Sequence, residues 1–279
     1  MALGADFEKL DRQLARLERR GIKGAQKSYA AMYRKLRSEL SGIFDKYADS
    51  QNRLSLGEMT KYNRLDSMKK KVADIIRESY VSTGREVRSA LRDVARTSHD
   101  GTLQALSDAA GRTLRGKIKG ETITEHLQDP RTGLKLNERL SVQRQQIVAR
   151  IDQEITRGLA RGDSFRDITH ALREEIDMDL AKTTRVVRTE GHRVQEQARL
   201  DALDHADAQG VVMMKRWVSA RDERVRASHE HMHGQEVEYE EDFVNPFTGG
   251  QGPAPGMMGT AADDINCRCR MVVDIVSAE

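Results

Sequence analysis

The residues of this chain whose types and spacing could do chemistry are gathered in its last third. Lys215-Arg216-Trp217 is followed by Asp222-Glu-Arg-Val-Arg-Ala-Ser-His229, by His233-Gly234 and by Asn266-Cys-Arg-Cys269. The segment holds the only Trp, both Cys, three of the eight His and three of the four Pro, so any sharp functional statement must come from it. A first chemistry is metal binding. Cys267 and Cys269, with His229, His231 or His233 across the loop, offer the soft and borderline ligands that zinc takes. Cys-x-Cys is a cramped chelate, however, and the pattern leaves the His ligand undefined. Two thiols one residue apart are also poorly placed for a disulfide with each other, so no oxidising compartment is expected.

A second chemistry is hydrolysis. His229, His233, Asp222 and Asn266 are the parts of a metal-dependent nuclease, in which His activates water and an acid or Asn orients it. No acid pair at firm spacing accompanies them. A third reading is structural. Asp222 and Asn266 stand where strands turn, and both side chains readily bond nearby backbone amides. Arg221, Arg224 and Arg226 are then expected to pair with the acidic stretch from Glu236 to Asp242, and Gly234 to supply positive φ at a hairpin tip. This fastening of a small sheet is the preferred reading. No cofactor is expected under it; zinc is the alternative.

The elements that must position these residues follow from periodicity. Phe7, Leu10, Leu14 and Leu17 mark one amphipathic helix, and Tyr29, Met32, Leu36, Leu40 and Phe44 mark a second. Ser55-Leu-Gly-Glu58 reads as a capping box. Tyr62, Leu65, Met68, Val72 and Ile76 continue a helix that can extend through Val94, with a break expected at Gly84. Glycines interrupt residues 98–135, and Asp129-Pro-Arg-Thr-Gly133 is a turn and a candidate boundary. Helical spacing resumes from Leu136 to Leu159 and stops at Gly162, with Asp163 or Ser164 as the next cap. A short helix over 165–176 and a longer one over 180–208 end at Gly210. Residues 211–218, 235–241 and 269–276 read as strands, separated by a long Gly- and Pro-rich loop over 244–260.

The expected fold is therefore mostly α with a smaller α+β C-terminal domain. Residues 1–130 form a basic elongated helical region. Residues 131–279 form a second domain, with helices over 135–209 and a small antiparallel sheet over 210–276. The overall charge of +3 conceals a division, since residues 1–120 carry 26 Lys+Arg against 15 Asp+Glu while the remainder is acidic. A basic arm suits nucleic acid or an acidic protein surface. Aromatic content of 4% argues against stacking platforms for single strands. No apolar run approaches the ~20 residues of a membrane span, so no membrane partner is expected. The N-terminus lacks the apolar core of a secretory leader.

The ordered elements of the last half resemble the phage Mu F-like minor head proteins, the head morphogenesis family of tailed phages. The matching run starts at Arg188-Thr-Glu190 with His192-Arg193. It continues through Lys215 and Trp217, Asp222 to His229, His233-Gly234, the loop containing Pro253 and Pro255, and Asn266-Cys-Arg-Cys269. It spans roughly residues 135–275, and Gly158-Leu159 with Gly162-Asp-Ser164 agree upstream. The resemblance implies a minor capsid protein, not an enzyme, present in few copies inside the phage head and in the host cytoplasm during assembly. Its implied partners are the portal protein and the major capsid or scaffold protein, and its implied roles are procapsid assembly and DNA delivery at ejection. The basic N-terminal region would meet double-stranded DNA without sequence preference. Relatives with Cys-x-x-Cys in place of Arg226-Ala-Ser-His229 look like zinc proteins. Here the resemblance leaves His229, Cys267 and Cys269, with His233 as the candidate fourth ligand. The rival reading is a metal-dependent nuclease or toxin-like hydrolase using the His-rich loop.

Overall fold

A computed structural model describes residues 3–129 and 135–278. The helices are α1 (Gly4–Tyr47), α2 (Leu56–Thr60), α3 (Arg64–Ala110), α4 (Gly120–Gln128), α5 (Leu136–Arg161) and α6 (Phe165–Asp207). They are followed by β1 (Val211–Val218), α7 (Ala227–His231), β2 (Glu236–Glu238), β3 (Phe243–Val244), β4 (Gln251–Gly252), α8 (Ala261–Asp264) and β5 (Arg270–Ala278). The architecture is mostly helical with a small C-terminal antiparallel sheet, as the periodicity predicts. Among the described residues no helix is long and apolar enough to cross a membrane.

The chain forms two compact units. One takes residues 1–21, 88–136 and 185–279; the other takes 22–87 and 137–184. This division is discontinuous and does not follow a boundary at residue 130. The physical reason is visible in the helices: α1, α3 and α6 each contribute one part to each unit, so hydrophobic stripes distant in sequence share a core. The turn expected at Asp129-Pro-Arg-Thr-Gly133 lies largely outside the described residues.

In the unit containing residues 22–87, the stripe Tyr29, Met32, Leu36, Leu40 and Phe44 packs with Val72 and Ile76, with Ile147, Ile151 and Ile155, and with Ile168, Leu172 and Ile176. Full burial stabilises each such side chain by roughly 1.5–3 kcal/mol. Two local signals work as read. Ser55 Oγ accepts the Glu58 N–H at 3.1 Å and caps α2. Gly162 (φ +70°) ends α5, with Gly162 N–H donating to Leu159 O and Asp163 N–H to Gly158 O, a Schellman arrangement. Ser164 and Asp167 then cap α6 reciprocally.

Three expected breaks are absent. Residues 7–20 and 25–47 belong to one helix, residues 165–207 to another, and α3 runs through Gly84 and Gly101. Gly101 is there for packing: a Cβ on it would stand 2.5 Å from Leu10 Cδ1. Tyr62 departs the other way, sitting at φ 54° before α3 and largely exposed.

The unit holding the sheet has its own core, built from Phe7, Leu10 and Leu14 of α1, Leu103 and Leu106 of α3, Leu203 of α6, and the inward faces of β1 and β5. The sheet order is β2-β1-β5, fully antiparallel, with Trp217 opposite Met271 and Lys215 opposite Val273. Alternation on β1 points Val211, Met213, Lys215 and Trp217 inward. The long loop carries the β3–β4 pair, and α8 follows it.

Candidate functional site

Trp217, at the end of β1, is fully buried and forms the floor of the cluster. Its ring meets His229 and Phe243 edge-on, each with centroids 5.5 Å away. Gly234 (φ +85°) donates its N–H to Trp217 O at 2.8 Å, and Trp217 N–H donates to Gln235 O at 2.9 Å. Gly234 is therefore not the tip of a tight hairpin: it lies opposite Trp217, and the connection from β1 to β2 runs out through α7. Lys215, equally buried, donates from Nζ to Glu241 O (2.6 Å) and Pro253 O (3.2 Å), so an inward-facing cation ties the loop to the sheet. Burial moves its pKa below the ordinary lysine value.

His229 lies on α7 and brings the two cysteines together. Its Nδ1 is 3.4 Å from Cys269 Sγ and 3.6 Å from Cys267 Sγ, and all three residues are buried. Its Nε2 is 3.1 Å from Asp263 Oδ1. The hydrogen bond with Cys267 brings the Cys269 thiol down to about 5 against the effect of burial, with His229 adding to the lowering. The same hydrogen bond, then burial, raises Cys267. Burial lowers His229, but the hydrogen bond and charge of Cys269, then Asp263, outweigh it and hold the imidazole above its usual range. The trio thus sets a Cys267 thiol shifted up beside a Cys269 thiol shifted down and an imidazole shifted up, backed by the Asp263 carboxylate.

Tetrahedral zinc, with Zn–S and Zn–N bonds of roughly 2.3 and 2.0 Å, sets such ligands about 3.5 Å apart. The observed spacing fits that, and Asp263 behind the ring is the carboxylate–histidine arrangement that orients metal ligands. Among the described residues, no fourth His, Cys, Asp or Glu joins the three. His233 stands elsewhere: Ser219 N–H donates to its Nδ1 at 3.1 Å, and the Arg221 guanidinium is 2.7 Å from its Nε2. His231 is exposed and stacks edge-on with Phe247 at 4.9 Å.

The arginines do other work than expected. Arg226 donates to the backbone carbonyls of Asp263 (3.5 Å) and Ile265, not to the acidic stretch. Arg221 turns to His233. Asp222 accepts the Arg224 N–H at 3.0 Å and pairs with Arg268 at 2.6 Å, which holds its carboxyl below the usual range. Within β1, Arg216 reaches Glu236 at 3.9 Å and Asp274 at 2.9 Å. Asn266 takes φ 55°, and its N–H donates to Thr189 Oγ1 at 3.2 Å, which seats the Cys-x-Cys turn on α6.

Asp263 was not legible as a site residue, yet it organises the loop. Besides His229 it accepts from Asn245 Nδ2 (2.9 Å), Thr248 Oγ1 (2.7 Å) and Thr260 Oγ1 (2.6 Å). Asp264 beside it accepts the N–H groups of Met258 (2.8 Å) and Gly259 (3.0 Å). The available signal was Thr260-Ala-Ala-Asp263, a cap pattern in which Thr260 Oγ1 accepts the Asp263 N–H at 3.1 Å. On α6, the Arg188-to-Arg193 run is the platform beneath. His192 packs under Gly256 and bonds the Pro255 backbone, and burial lowers its pKa to about 4. Arg193 pairs with Glu190 at 2.9 Å, and Arg199 joins Asp11 at 2.8 Å and donates to Met271 O at 2.7 Å.

Residues 149–272 match the family described as Phage Mu protein F like protein, a span that includes Thr189, His192, Trp217, His229, Asp263 and both cysteines. The chain is 29% identical over 270 residues to the minor head protein GP7 of Bacillus phage SPP1, covering 95% of this chain and 85% of that protein. It is 23% identical over 278 residues to a protein of Enterococcus faecalis named NAD(+)–arginine ADP-ribosyltransferase EFV, covering 99% of this chain but 57% of that protein. No solved structure matches the chain.

Proposed function

With residues 149–272 a Mu F-like region, we propose that this chain is a minor head protein of a tailed phage, acting in head morphogenesis as a structural component and not as an enzyme. The observation that carries the reading is the extent of likeness to the SPP1 minor head protein, which covers 95% of this chain and so reaches well beyond the family span. The transferase name belongs to a protein of which this chain spans little more than half, and it lends no activity here. Within this reading the protein sits inside the head, associates with the portal and with capsid or scaffold protein, and contacts packaged DNA through its basic N-terminal region. The rival hydrolase has little support from the His-rich loop. His229 is buried between Trp217, two sulfurs and Asp263, and both ring nitrogens of His233 face protein groups.

The test is co-expression with a portal protein from the same phage. Co-purification with the portal ring and presence in purified heads are expected. Absence from heads, or plasmid cleavage with Mg²⁺ that vanishes in His229→Ala, would overturn the reading.

A second reading concerns the cluster itself. The spacing of His229 Nδ1 and the two sulfurs supports zinc as an added fastening, held by His229, Cys267 and Cys269. Elemental analysis is expected to give about one zinc per chain, with a melting temperature lowered by chelator. Metal-free protein whose melting ignores chelator would remove zinc and leave the pinning role intact.

A further inference from the structure

Between α3 and α5, within the unit holding residues 22–87 and 137–184, lies a groove of about 540 Å³. Val72 and Val148 line its floor, and Lys69, Lys70, Arg77 and Arg144 stand around it. The helices run antiparallel here. Lys69 pairs with Asp152 at 3.0 Å at one end, and Arg77 and Arg144 line the other. Arg77 is also paired, with Asp74 at 2.6 Å. Among the described residues, Lys70 and Arg144 have no carboxylate partner, so the rim keeps unspent positive charge. Arg144 reaches only Ser141 Oγ, at 3.5 Å.

Two exposed valines extend this surface. Lys70, Ala73, Arg77 and Val81 follow at helical spacing on one face of α3. Val142, Gln145 and Ala149 do the same on α5. Val81 is 53% exposed and Val142 42%, and neither belongs to the apolar core. Both lie beyond the Arg77–Arg144 end, so the apolar strip continues a turn past the groove. Singly exposed valines need no explanation, but two that prolong the same groove form a patch.

We infer that the α3–α5 groove is a docking surface for an amphipathic helix with acidic flanks, presented by another protein. The apolar floor and the valines would take the partner's Leu or Ile side chains at i, i+3 and i+7, the helix-in-groove mode of recognition. Lys70 and Arg144 select for Glu and Asp beside them and repel a basic helix. The exposed face of α1, with Lys23, Lys27, Arg34 and Arg37, is the kind of basic helix that Lys70 and Arg144 repel.

The test uses the full chain and two fluorescein-labelled helical peptides with the same Leu spacing, one flanked by Glu and one by Lys, read by anisotropy at low salt. The Glu peptide is expected to bind and the Lys peptide to fail. Lys70→Glu with Arg144→Glu should weaken binding at least tenfold, and so should Val81→Ser with Val142→Ser. All four positions have solvent access, and unchanged melting curves will show that the fold is intact. Equal binding of both peptides, or variants that bind like the parent, overturns the inference. So does displacement of the peptide by duplex DNA that is lost in the same charge variant, since the groove would then be a nucleic-acid face.

Discussion

His229 Nε2 lies 3.1 Å from Asp263 Oδ1, and that carboxylate is wholly buried. A buried charge is tolerated only when its lone pairs are occupied and a counter-charge is near. Asp263 meets both conditions. It accepts from Asn245, Thr248 and Thr260 and faces the His229 imidazole, whose pKa is raised, and its own pKa is lowered in spite of burial. Segments around residues 229, 245 and 260 thus converge on one side chain.

Asp263→Ala should therefore cost far more than an ordinary surface change. Removing one partner of a buried pair typically costs about 3–5 kcal/mol, and urea denaturation should find a loss of at least ~3 kcal/mol. Thr248→Val removes only one of its donors and should cost about 1 kcal/mol. If Asp263→Ala fell below the Thr248→Val loss, the carboxylate would not be the organiser of the loop.

Acid should loosen the cluster in a defined window. A thiol whose folded pKa is depressed contributes stability that is present above its unfolded value and lost as pH falls through the folded value, here about 5. His229 is raised, so its contribution is present below the unfolded imidazole value and lost as pH rises through the folded one. The two slopes cancel where proton transfer from Cys269 to His229 is internal. Below about 6.5 the unfolded imidazole is protonated as well, and only the thiolate slope remains. The stability difference between the parent and Cys269→Ser should then shrink by up to about 1.4 kcal/mol per pH unit between 6.5 and 5. A difference that stays constant over this range would mean that Cys269 remains a thiol.

The sequence exposed the pins of the site better than their arrangement. Trp217, His229, Gly234 and the Cys-x-Cys pair stood out because such residues are rare in a chain otherwise dominated by charged helix. Asp263 did not, because one acid among 44 carries no signal until the loop has folded around it. The arginines misled for a related reason: charge suggests an acidic partner, yet Arg226 is used on carbonyls. Helix lengths were underread where Gly84 and Gly101 were taken as breaks, although Gly162 does end α5. Gly24, whose added Cβ would meet Glu86 Cβ at 3.0 Å, and Gly101 against Leu10 mark close packing inside continuous helices. The two units could not be read from linear order, because stripes along single helices serve different cores.

Glycines of the two kinds should respond oppositely to alanine. A Cβ on Gly252 would lie 1.9 Å from Met257 O, and on Gly250 2.2 Å from Asp263 Oδ2. Backbone cannot yield cheaply, so Gly252→Ala should destabilise by roughly 2 kcal/mol or more, within the usual range for overpacking. Gly42 lies inside α1 with nothing within 4 Å of its added Cβ. Gly42→Ala should therefore stabilise by up to about 1 kcal/mol through helix propensity. Thermal melts of both variants check this, and a shift of the same sign in the two would refute the distinction.

The other unit has its own buried polar centre, and it should prove equally sensitive. Asp179 is wholly buried and accepts from Tyr29 (2.7 Å), from Tyr80 and from Arg150 (2.8 Å), while Tyr29 and Gln143 also meet at Thr183. Burial, together with the nearby carboxylate, keeps both phenols protonated well past their ordinary range, so they act here as donors. These contacts join α1, α3, α5 and α6 across a core that is otherwise apolar. Tyr29→Phe removes one donor and should cost about 1–1.5 kcal/mol. Asp179→Ala strands two phenols and the inner end of Arg150, although Arg150 keeps Glu175 at 2.8 Å, and should cost about 3 kcal/mol. Because both changes act on one network, the double variant should lose less than the two single losses combined. Denaturant curves of the three variants measure this coupling, and strict additivity would show that Tyr29 and Asp179 stabilise the unit independently.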